Sequence, residues 1–358
     1  MRILVTGGAG FIGSAVVRFL VELPDVSVIN VDKMTYAGSA ESLSVLDQRG
    51  DYVWEHVDIC EPESLDAVFR EHKPDMVINL AAETHVDRSI DDSAAFIRTN
   101  VQGTHVLLEA SLRHWQAMDA RRRNAFRFLQ VSTDEVYGAL GPTGRFTEST
   151  PYAPNSPYAA SKAGADHLVR AWCRTYGLPV LITNCSNNYG PWQHPEKLIP
   201  QSIIHGLRGC PIPVYGGGEN VRDWLFVEDH AEALTLVLTQ GRVGATYNIG
   251  GAQEWRNLDV VREICSLLDE AVPKSYRHSE LIKFVADRPG HDFRYAVSSD
   301  RIRGELAWQP RTGFKEGLRK TVDWYLRNQD WWGLSDRVAF GHGGAQRGDV
   351  DVRERGAH

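Results

Sequence analysis

The sequence predicts an α/β protein with a Rossmann-type doubly wound parallel sheet and a smaller C-terminal lobe. Two observations support this fold class. Strand-length apolar runs alternate with helix-length segments, and a glycine-rich turn follows the first run. The runs are almost continuously apolar, which is typical of parallel strands that are covered on both faces. The predicted strands span residues 3–6, 26–31, 53–57, 76–80, 126–132, 180–183 and 246–249.

Changes in composition along the chain predict two lobes and a tail. Residues 1–190 form the predicted Rossmann domain, and some later segments, around 221–250, are expected to return to it. Proline and glycine become frequent after residue 190, so we assign 191–334 mainly to the smaller lobe. Residues 335–358 contain few apolar side chains, and we expect a flexible tail there.

Composition excludes several classes of function. Of the 358 residues, 42% are hydrophobic and 24% charged, as in ordinary globular proteins, and the net charge of −7 argues against nucleic acids and anionic membranes as partners. The five cysteines are scattered without a CxxC pair, which favours free thiols over disulfides or a metal site. Neither a signal peptide nor an apolar run of about 18 residues is evident, so we expect a cytoplasmic protein.

The glycine-rich turn predicts a dinucleotide site. Gly7, Gly10 and Gly13 follow the first strand, and Phe11 and Ile12 begin the helix after it. Glycines allow a tight turn and a close approach of the backbone to a pyrophosphate, and the helix N-terminus supplies unpaired N–H groups. A merely flexible turn is the alternative, but the strand before it and the helix after it favour cofactor binding.

The end of the second strand predicts which dinucleotide binds. Asp32 lies about 20 residues beyond the last glycine, where a carboxylate accepts hydrogen bonds from ribose hydroxyls, so we predict NAD. The neighbouring Lys33 leaves open an interaction with the 2′-phosphate of NADP. Asp58, Ala81 and Ala82 follow the next two strands, at the edge where open α/β sheets bind ligands.

A tyrosine and a lysine predict alcohol oxidation. Ser156 and Pro157 are typical of a helix start, and Tyr158 and Lys162 then share a helix face. Tyrosine has a pKa near ~10, so its use as a base requires a nearby cation such as Lys162. This pattern also occurs on helix surfaces without a function. A dinucleotide fold upstream favours the catalytic interpretation.

The segment Ser132-Thr133-Asp134-Glu135-Val136-Tyr137-Gly138 carries the most specific resemblance. With the glycine turn and the Tyr158/Lys162 pair, it resembles the extended short-chain dehydrogenase/reductase superfamily and, within it, the dTDP-glucose 4,6-dehydratases. The resemblance runs from residue 1 to about 332. Related sugar 4-epimerases typically lack the Asp-Glu pair. Two acids after a strand could instead only cap a loop.

The resemblance implies a catalytic role for each of five residues. Tyr158, supported by Lys162, would take the proton of the C4 hydroxyl while hydride passes to NAD. Glu135 would remove the C5 proton, Asp134 would protonate the departing C6 hydroxyl, and Thr133 would hydrogen-bond the C4 oxygen. The residues predicted to contact NAD are Gly7, Gly10, Phe11, Ile12, Gly13, Asp32, Lys33, Thr35, Asp58, Ile59, Leu80, Ala81, Ala82, Thr99, Tyr158, Lys162 and Asn188.

The resemblance also implies a site for the nucleotide sugar, dTDP-glucose. Arg222 and Arg288 can each present a planar fork of donors to a diphosphate. Pro213 and Tyr215 provide apolar surface for the thymine base. The predicted substrate residues are Thr84, Thr133, Asn187, Lys197, Leu198, Pro213, Tyr215, Arg222, Asn257, Arg288 and His291. One departure from the family pattern is Phe293, where a basic residue is usual.

A further expectation from the resemblance concerns the oligomeric state. Members of the family are commonly homodimers joined through helices, and residues 99–115 and 159–176 are the matching segments, unless their apolar faces only cover the sheet.

Another nucleotide-sugar 4,6-dehydratase or a 4-epimerase is the nearest alternative function. A noncatalytic NAD-binding regulator is an alternative of a different class, but such a role requires none of the four residues Asp134, Glu135, Tyr158 and Lys162 together.

Overall fold

The computed structural model describes residues 1–287 and 291–333. Its strands are β1 (Arg2–Thr6), β2 (Ser27–Val31), β3 (Tyr52–Glu55), β4 (Met76–Asn79), β5 (Arg127–Thr133), β6 (Val180–Cys185), β7 (Asn187–Tyr189), β8 (Ile212–Tyr215), β9 (Val221–Phe226), β10 (Thr246–Ile249), β11 (Glu254–Arg256) and β12 (Ile282–Val285). Seven of these strands form one sheet in the order β3-β2-β1-β4-β5-β6-β10. All six pairings in this sheet are parallel. The sheet contains all seven predicted strands, which confirms the predicted fold class.

Helices cover both faces of this sheet. The α-helices of the described residues are α1 (Phe11–Leu20), α2 (Pro62–His72), α3 (Val86–Asp91), α4 (Ser93–Phe96), α5 (Thr104–Ala117), α6 (Ala120–Ala125), α7 (Pro157–Tyr176), α8 (Leu198–Arg208), α9 (Val227–Gln240), α10 (Asn257–Ala271), α11 (Asp300–Leu306) and α12 (Phe314–Arg327). One core packs α1 and α9 against the sheet, and a second packs α2, α5 and α7 against its other face. Neighbouring residues of β1 alternate between them, with Ile3 in the first core and Leu4 in the second.

The later part of the chain builds smaller sheets around an aromatic core. The strand β9 lies between β7, to which it is parallel, and β11, to which it is antiparallel, while β12 pairs with β8. Tyr189, Trp224 and Phe314 are buried together there. β10 follows β9 in sequence but pairs with β6, so the chain returns to the main sheet. The predicted tail, 335–358, lies outside the described residues.

Parallel strands bring their carboxyl ends to one edge of the main sheet, and the segments after these strands therefore meet there. The glycine turn follows β1, Asp32 follows β2, and the Asp134–Tyr137 turn follows β5. Within the described parts of the chain, no helix is both long enough and apolar enough to cross a membrane.

Candidate active site

A cavity of about 300 Å³ lies at this edge of the sheet. That volume is within the range of small-molecule sites. Segments that follow β1, β2, β3, β4, β5 and β6 all contribute to its wall, together with α7. Every residue predicted to contact NAD lines the cavity, and so do Thr133, Asp134 and Glu135. The predicted cofactor residues and the predicted catalytic residues therefore share one site.

The glycine turn has the geometry that a diphosphate requires. Gly7 has a φ of +71°, and a Cβ atom there would lie 2.6 Å from the backbone nitrogen of Ala81. A Cβ atom on Gly13 would lie 2.0 Å from the carbonyl oxygen of Gly7. Gly10 is the N-cap of α1, and no side chain caps this helix. Its first N–H groups therefore face the cavity without a competing side-chain acceptor, as an anion site needs.

The charges near the predicted ribose site favour NAD over NADP. The carboxylate of Asp32 is fixed by the backbone N–H groups of Ala9 (2.9 Å) and Met34 (2.8 Å). The ammonium group of Lys33 lies 3.4 Å from a carboxylate oxygen of Asp58. Since Lys33 has an anionic partner and Asp32 would repel a 2′-phosphate, these residues suit two free ribose hydroxyls.

Helix α7 carries Tyr158 and Lys162 into the cavity. The Ser156 hydroxyl caps this helix by accepting a hydrogen bond from the N–H of Ala159 (3.1 Å). The ammonium group of Lys162 donates to the carbonyl oxygen of Val131 (2.8 Å). Burial, followed by the charge of Glu135, raises the pKa of Tyr158 well above its usual range. Cationic charge beside the phenol is therefore needed before Tyr158 can act as a base.

The two acids after β5 lie in different environments. The side chain of Asp134 is 2% exposed, and burial, then Glu135, then Asp223 raise its pKa well above the usual range. Glu135 is only partly buried. Thr133 connects the two acids, because its hydroxyl donates to Asp134 (3.4 Å) and accepts from the N–H of Glu135 (3.3 Å). A protonated carboxyl and a more accessible carboxylate can serve as an acid and a base.

The predicted substrate residues divide into three groups. Four line the cavity, namely Thr84, Thr133, Asn187 and Lys197. Six lie outside its lining, namely Leu198, Pro213, Tyr215, Arg222, Asn257 and His291. Arg288 lies outside the described residues.

Arg222 and Tyr215 are two of the six predicted substrate residues that lie outside the cavity lining. The guanidinium of Arg222 donates to the carbonyl oxygens of Val221 (2.8 Å) and Asp292 (2.9 Å) and lies 4.5 Å from the centre of the Tyr295 ring. Its positive charge lowers the pKa of Asp134, opposing the larger effect of burial. Tyr215 is exposed and lies edge-on to the ring of His291.

Comparison with known proteins identifies the family. A profile described as GDP-mannose 4,6 dehydratase matches residues 4–321. The chain belongs to this family. It is 58% identical over 336 residues to a dTDP-glucose 4,6-dehydratase of Neisseria meningitidis serogroup B, covering 92% of this chain and 95% of that protein.

Solved structures agree with this assignment to the 4,6-dehydratase family. The dTDP-glucose 4,6-dehydratase of Streptomyces venezuelae, solved with NAD bound, has a TM-score of 0.85 and 44% identity, covering 94% of this chain and all of that one. The corresponding enzyme of Bacillus anthracis, in complex with NAD, has a TM-score of 0.84 and 44% identity, covering 94% of this chain and 99% of that one.

The sequence analysis did not identify His230, which contacts Asn188, a residue predicted to bind NAD. His230 is fully buried on α9, and its Nδ1 lies 2.9 Å from the side-chain oxygen of Asn188. Burial lowers the pKa of His230 to about 3, so the ring is neutral and its Nδ1–H donates to Asn188. No sequence pattern links two residues that are 42 positions apart.

Glu196 was also missed. Its carboxylate lines the cavity and lies 3.4 Å from Arg88 and 3.5 Å from His85. Arg88 in turn stacks on Tyr36, with 3.6 Å between the guanidinium carbon and the ring centre. Residues from three separate segments, at 36, 85–88 and 196, therefore form one cluster. Its position directly before Lys197, a predicted substrate residue, was the available signal.

Proposed function

We propose that the protein is a dTDP-glucose 4,6-dehydratase, which converts dTDP-glucose to dTDP-4-keto-6-deoxyglucose and water. It is an NAD-dependent hydro-lyase. The observation that carries this proposal is the buried Asp134 beside the accessible Glu135, in one cavity with Tyr158 and Lys162. The 58% identity to a dTDP-glucose 4,6-dehydratase supports the choice of substrate.

The chain's own residues fit NAD at the glycine turn. The uncapped N-terminus of α1 suits the diphosphate, and Asp32 suits the adenosine ribose. Asn188, oriented by His230, lines the same cavity, and we assign it to the nicotinamide. NAD, when bound, accepts a hydride from C4 of the sugar and returns it to C6.

Oxidation at C4 requires a base and a donor. Tyr158 removes the proton of the C4 hydroxyl, and the Thr133 hydroxyl donates to the C4 oxygen. Lys162, one helical turn from Tyr158, offsets the negative charge that develops on the phenol. The resulting C4 ketone makes the C5 hydrogen acidic.

Elimination then uses both acids. Glu135 removes the C5 proton, and Asp134 donates its proton to the departing C6 hydroxyl, which leaves as water. Asp134 can do this because burial keeps its carboxyl protonated. Glu135 returns its proton to C5 when C6 is reduced. The cycle closes when the proton on Tyr158 replaces the one that Asp134 has lost.

We assign the remaining substrate residues to the nucleotide. Thr84, Asn187 and Lys197 belong to the cavity wall, and Leu198 follows Lys197 directly as the first residue of α8. We assign Arg222, whose charge lowers the pKa of Asp134, to the diphosphate, because a guanidinium can present two donors to it. The other members of the proposed set are Pro213, Tyr215, Asn257, Arg288 and His291.

Incubation of the protein with dTDP-glucose, followed by alkali, tests the reaction through the chromophore of the 4-keto sugar. We expect this product from the parent protein. We expect Glu135→Gln to bind NAD as the parent does, since the residue is not part of the glycine turn, yet to lose turnover by about 10²–10⁴-fold.

Other outcomes of this experiment would point elsewhere. Formation of a galactose epimer would identify a 4-epimerase, and turnover of GDP-mannose alone would identify a different 4,6-dehydratase. NAD binding without turnover of either sugar would favour a noncatalytic regulator. Full activity of Glu135→Gln would show that the base is misassigned.

We also propose that the protein acts as a cytoplasmic homodimer. The five cysteines are unpaired, which suits a reducing compartment. Ile97 and Tyr176 are exposed apolar side chains beside α5 and at the end of α7, the two segments expected at the dimer interface. Light scattering coupled to size-exclusion chromatography tests the dimer, and a monomeric mass would contradict it.

A further inference from the structure

Helix α7 contacts the end of β5 through two charged side chains. Lys162 and Asp166 are one turn apart and share a helix face. Both are buried, and Asp166 is fully so. Lys162 donates to the carbonyl oxygen of Val131 (2.8 Å), and Asp166 accepts from the hydroxyl of Ser132 (2.7 Å). The two side chains therefore hold consecutive residues of β5, directly before Thr133.

Hydrogen bonds offset little of the free-energy cost of burying the Asp166 carboxylate. One oxygen accepts from Ser132 and from the hydroxyl of Tyr152 (2.9 Å), both of which are neutral. The other oxygen has no hydrogen-bond donor among the described residues. A buried carboxylate in such surroundings requires a nearby cation. Burial raises the pKa of Asp166, and Lys162 and Arg170 are the cations whose charges lower it.

Arg170 already has other partners. It donates to the hydroxyl of Tyr152 (2.8 Å) and to that of Thr246 (3.3 Å), and its guanidinium lies over the Tyr152 ring. Arg170 thus orients the tyrosine that donates to Asp166. For Lys162, the charge that does most to raise its pKa is that of Asp166, one turn further along α7.

We propose that Asp166 is a positioning residue for the reaction, because its carboxylate is the counter-ion that keeps Lys162 in the ammonium form and fixes the end of β5 against α7. This inference rests on the proposed function, since it concerns how Tyr158 becomes a base. It adds a residue that does not itself line the cavity.

The groups around Lys162 explain why a counter-ion is needed. Burial lowers the pKa of Lys162, and Asp166, with a smaller effect from Cys185 on β6, raises it. Burial and then the negative charge of Glu135 raise the pKa of Tyr158, which lies one turn before Lys162. If Lys162 lost its proton, the hydrogen bond with Thr133 would be left as the interaction that favours the phenolate.

The test is the pH profile of C4 oxidation, measured as NADH absorbance in a single turnover in the Glu135→Gln background. Asp166→Asn keeps the side-chain shape but removes the charge. We expect its rising limb to move to higher pH by about 1–3 units, the effect of losing a nearby cation. An unchanged limb, or a shift to lower pH, would overturn the proposal, because Lys162 would then keep its charge unaided.

Two variants separate the charge from the hydrogen bonds. Tyr152→Phe removes a donor to Asp166 but keeps the carboxylate. In the same Glu135→Gln background, the rising limb of its pH profile should therefore be unchanged. In a Lys162→Met background, Asp166→Asn should produce no additional shift, because the residue through which it acts is missing. An additional shift there would show that Asp166 acts directly on Tyr158 and contradict the proposal.

A second measurement does not depend on turnover. NMR of the protein with ¹³C-labelled lysine, with Lys162→Met used to assign the signal, reports the ionisation of Lys162. We expect Asp166→Asn, or the smaller Asp166→Ser if the first variant does not fold, to lower its pKa. An unchanged titration would overturn the inference. If the parent protein does not act on dTDP-glucose, the proposed function fails while this titration still decides the role of Asp166.

Discussion

Gly13→Ala should weaken NAD binding strongly although it adds only a methyl group. A Cβ atom at this position would lie 2.0 Å from the carbonyl oxygen of Gly7, whereas real Cβ atoms keep at least 3.0 Å, so the turn and helix must separate by about 1 Å. Such a displacement breaks at least one charge-assisted hydrogen bond to the diphosphate, worth about 1.5–3 kcal/mol. We therefore expect a loss of affinity of about 10- to 150-fold.

Gly304→Ala is the matched control for this change. A Cβ atom at Gly304 would meet nothing within 4 Å, and the residue lies on α11, outside the cavity lining. Its affinity for NAD should change by less than about threefold, a few tenths of a kcal/mol. Isothermal titration calorimetry of both variants measures the difference, with circular dichroism to verify folding. Equal affinities of the two variants would refute the steric argument.

Three further predictions concern buried polar groups. Asp134→Asn should slow elimination by about 10²–10⁴-fold and C4 oxidation less, because an amide cannot protonate the leaving hydroxyl; NADH would then accumulate in a single turnover. Burial raises the pKa of Asp134, so its carboxyl contributes stability at low pH that is lost as pH rises through the folded-state pKa. Urea unfolding of Asp134→Asn should show a smaller fall in the free energy of unfolding as pH rises than the parent does, and an equal fall would contradict this. His230→Phe should destabilise the fold by about 1–3 kcal/mol, because the Asn188 oxygen loses its donor; an unchanged urea midpoint would exclude that role.

The main sheet could be predicted because its signals are local. Each strand is a short apolar run, and the carboxyl ends of parallel strands necessarily share an edge. That rule alone brought Gly7, Asp32, Asp58 and Ala81 to one cavity. The cap at Ser156 likewise fixed the start of α7, and with it the common face of Tyr158 and Lys162.

Features that depend on distant contacts could not be predicted. Asp134 and Glu135 are neighbours in sequence, and only the packing of the folded chain buries the first more than the second. Asn188 is oriented by His230, and Arg222 is held by the carbonyl oxygen of Asp292, 70 residues away. Tertiary packing determines such partners, and no spacing pattern in the sequence predicts them.

The order of strands in the main sheet has a consequence for the newly made chain. β2 pairs with β1 and β3 adds beside β2, after which β4, β5, β6 and β10 add in turn on the other side. Each strand therefore joins an edge, and none must be inserted between strands that have already paired. The fully buried β6 remains the open edge until β10 is synthesised. During that interval the edge of β6 is open to pairing with other chains, and the pairing of β10 covers this edge.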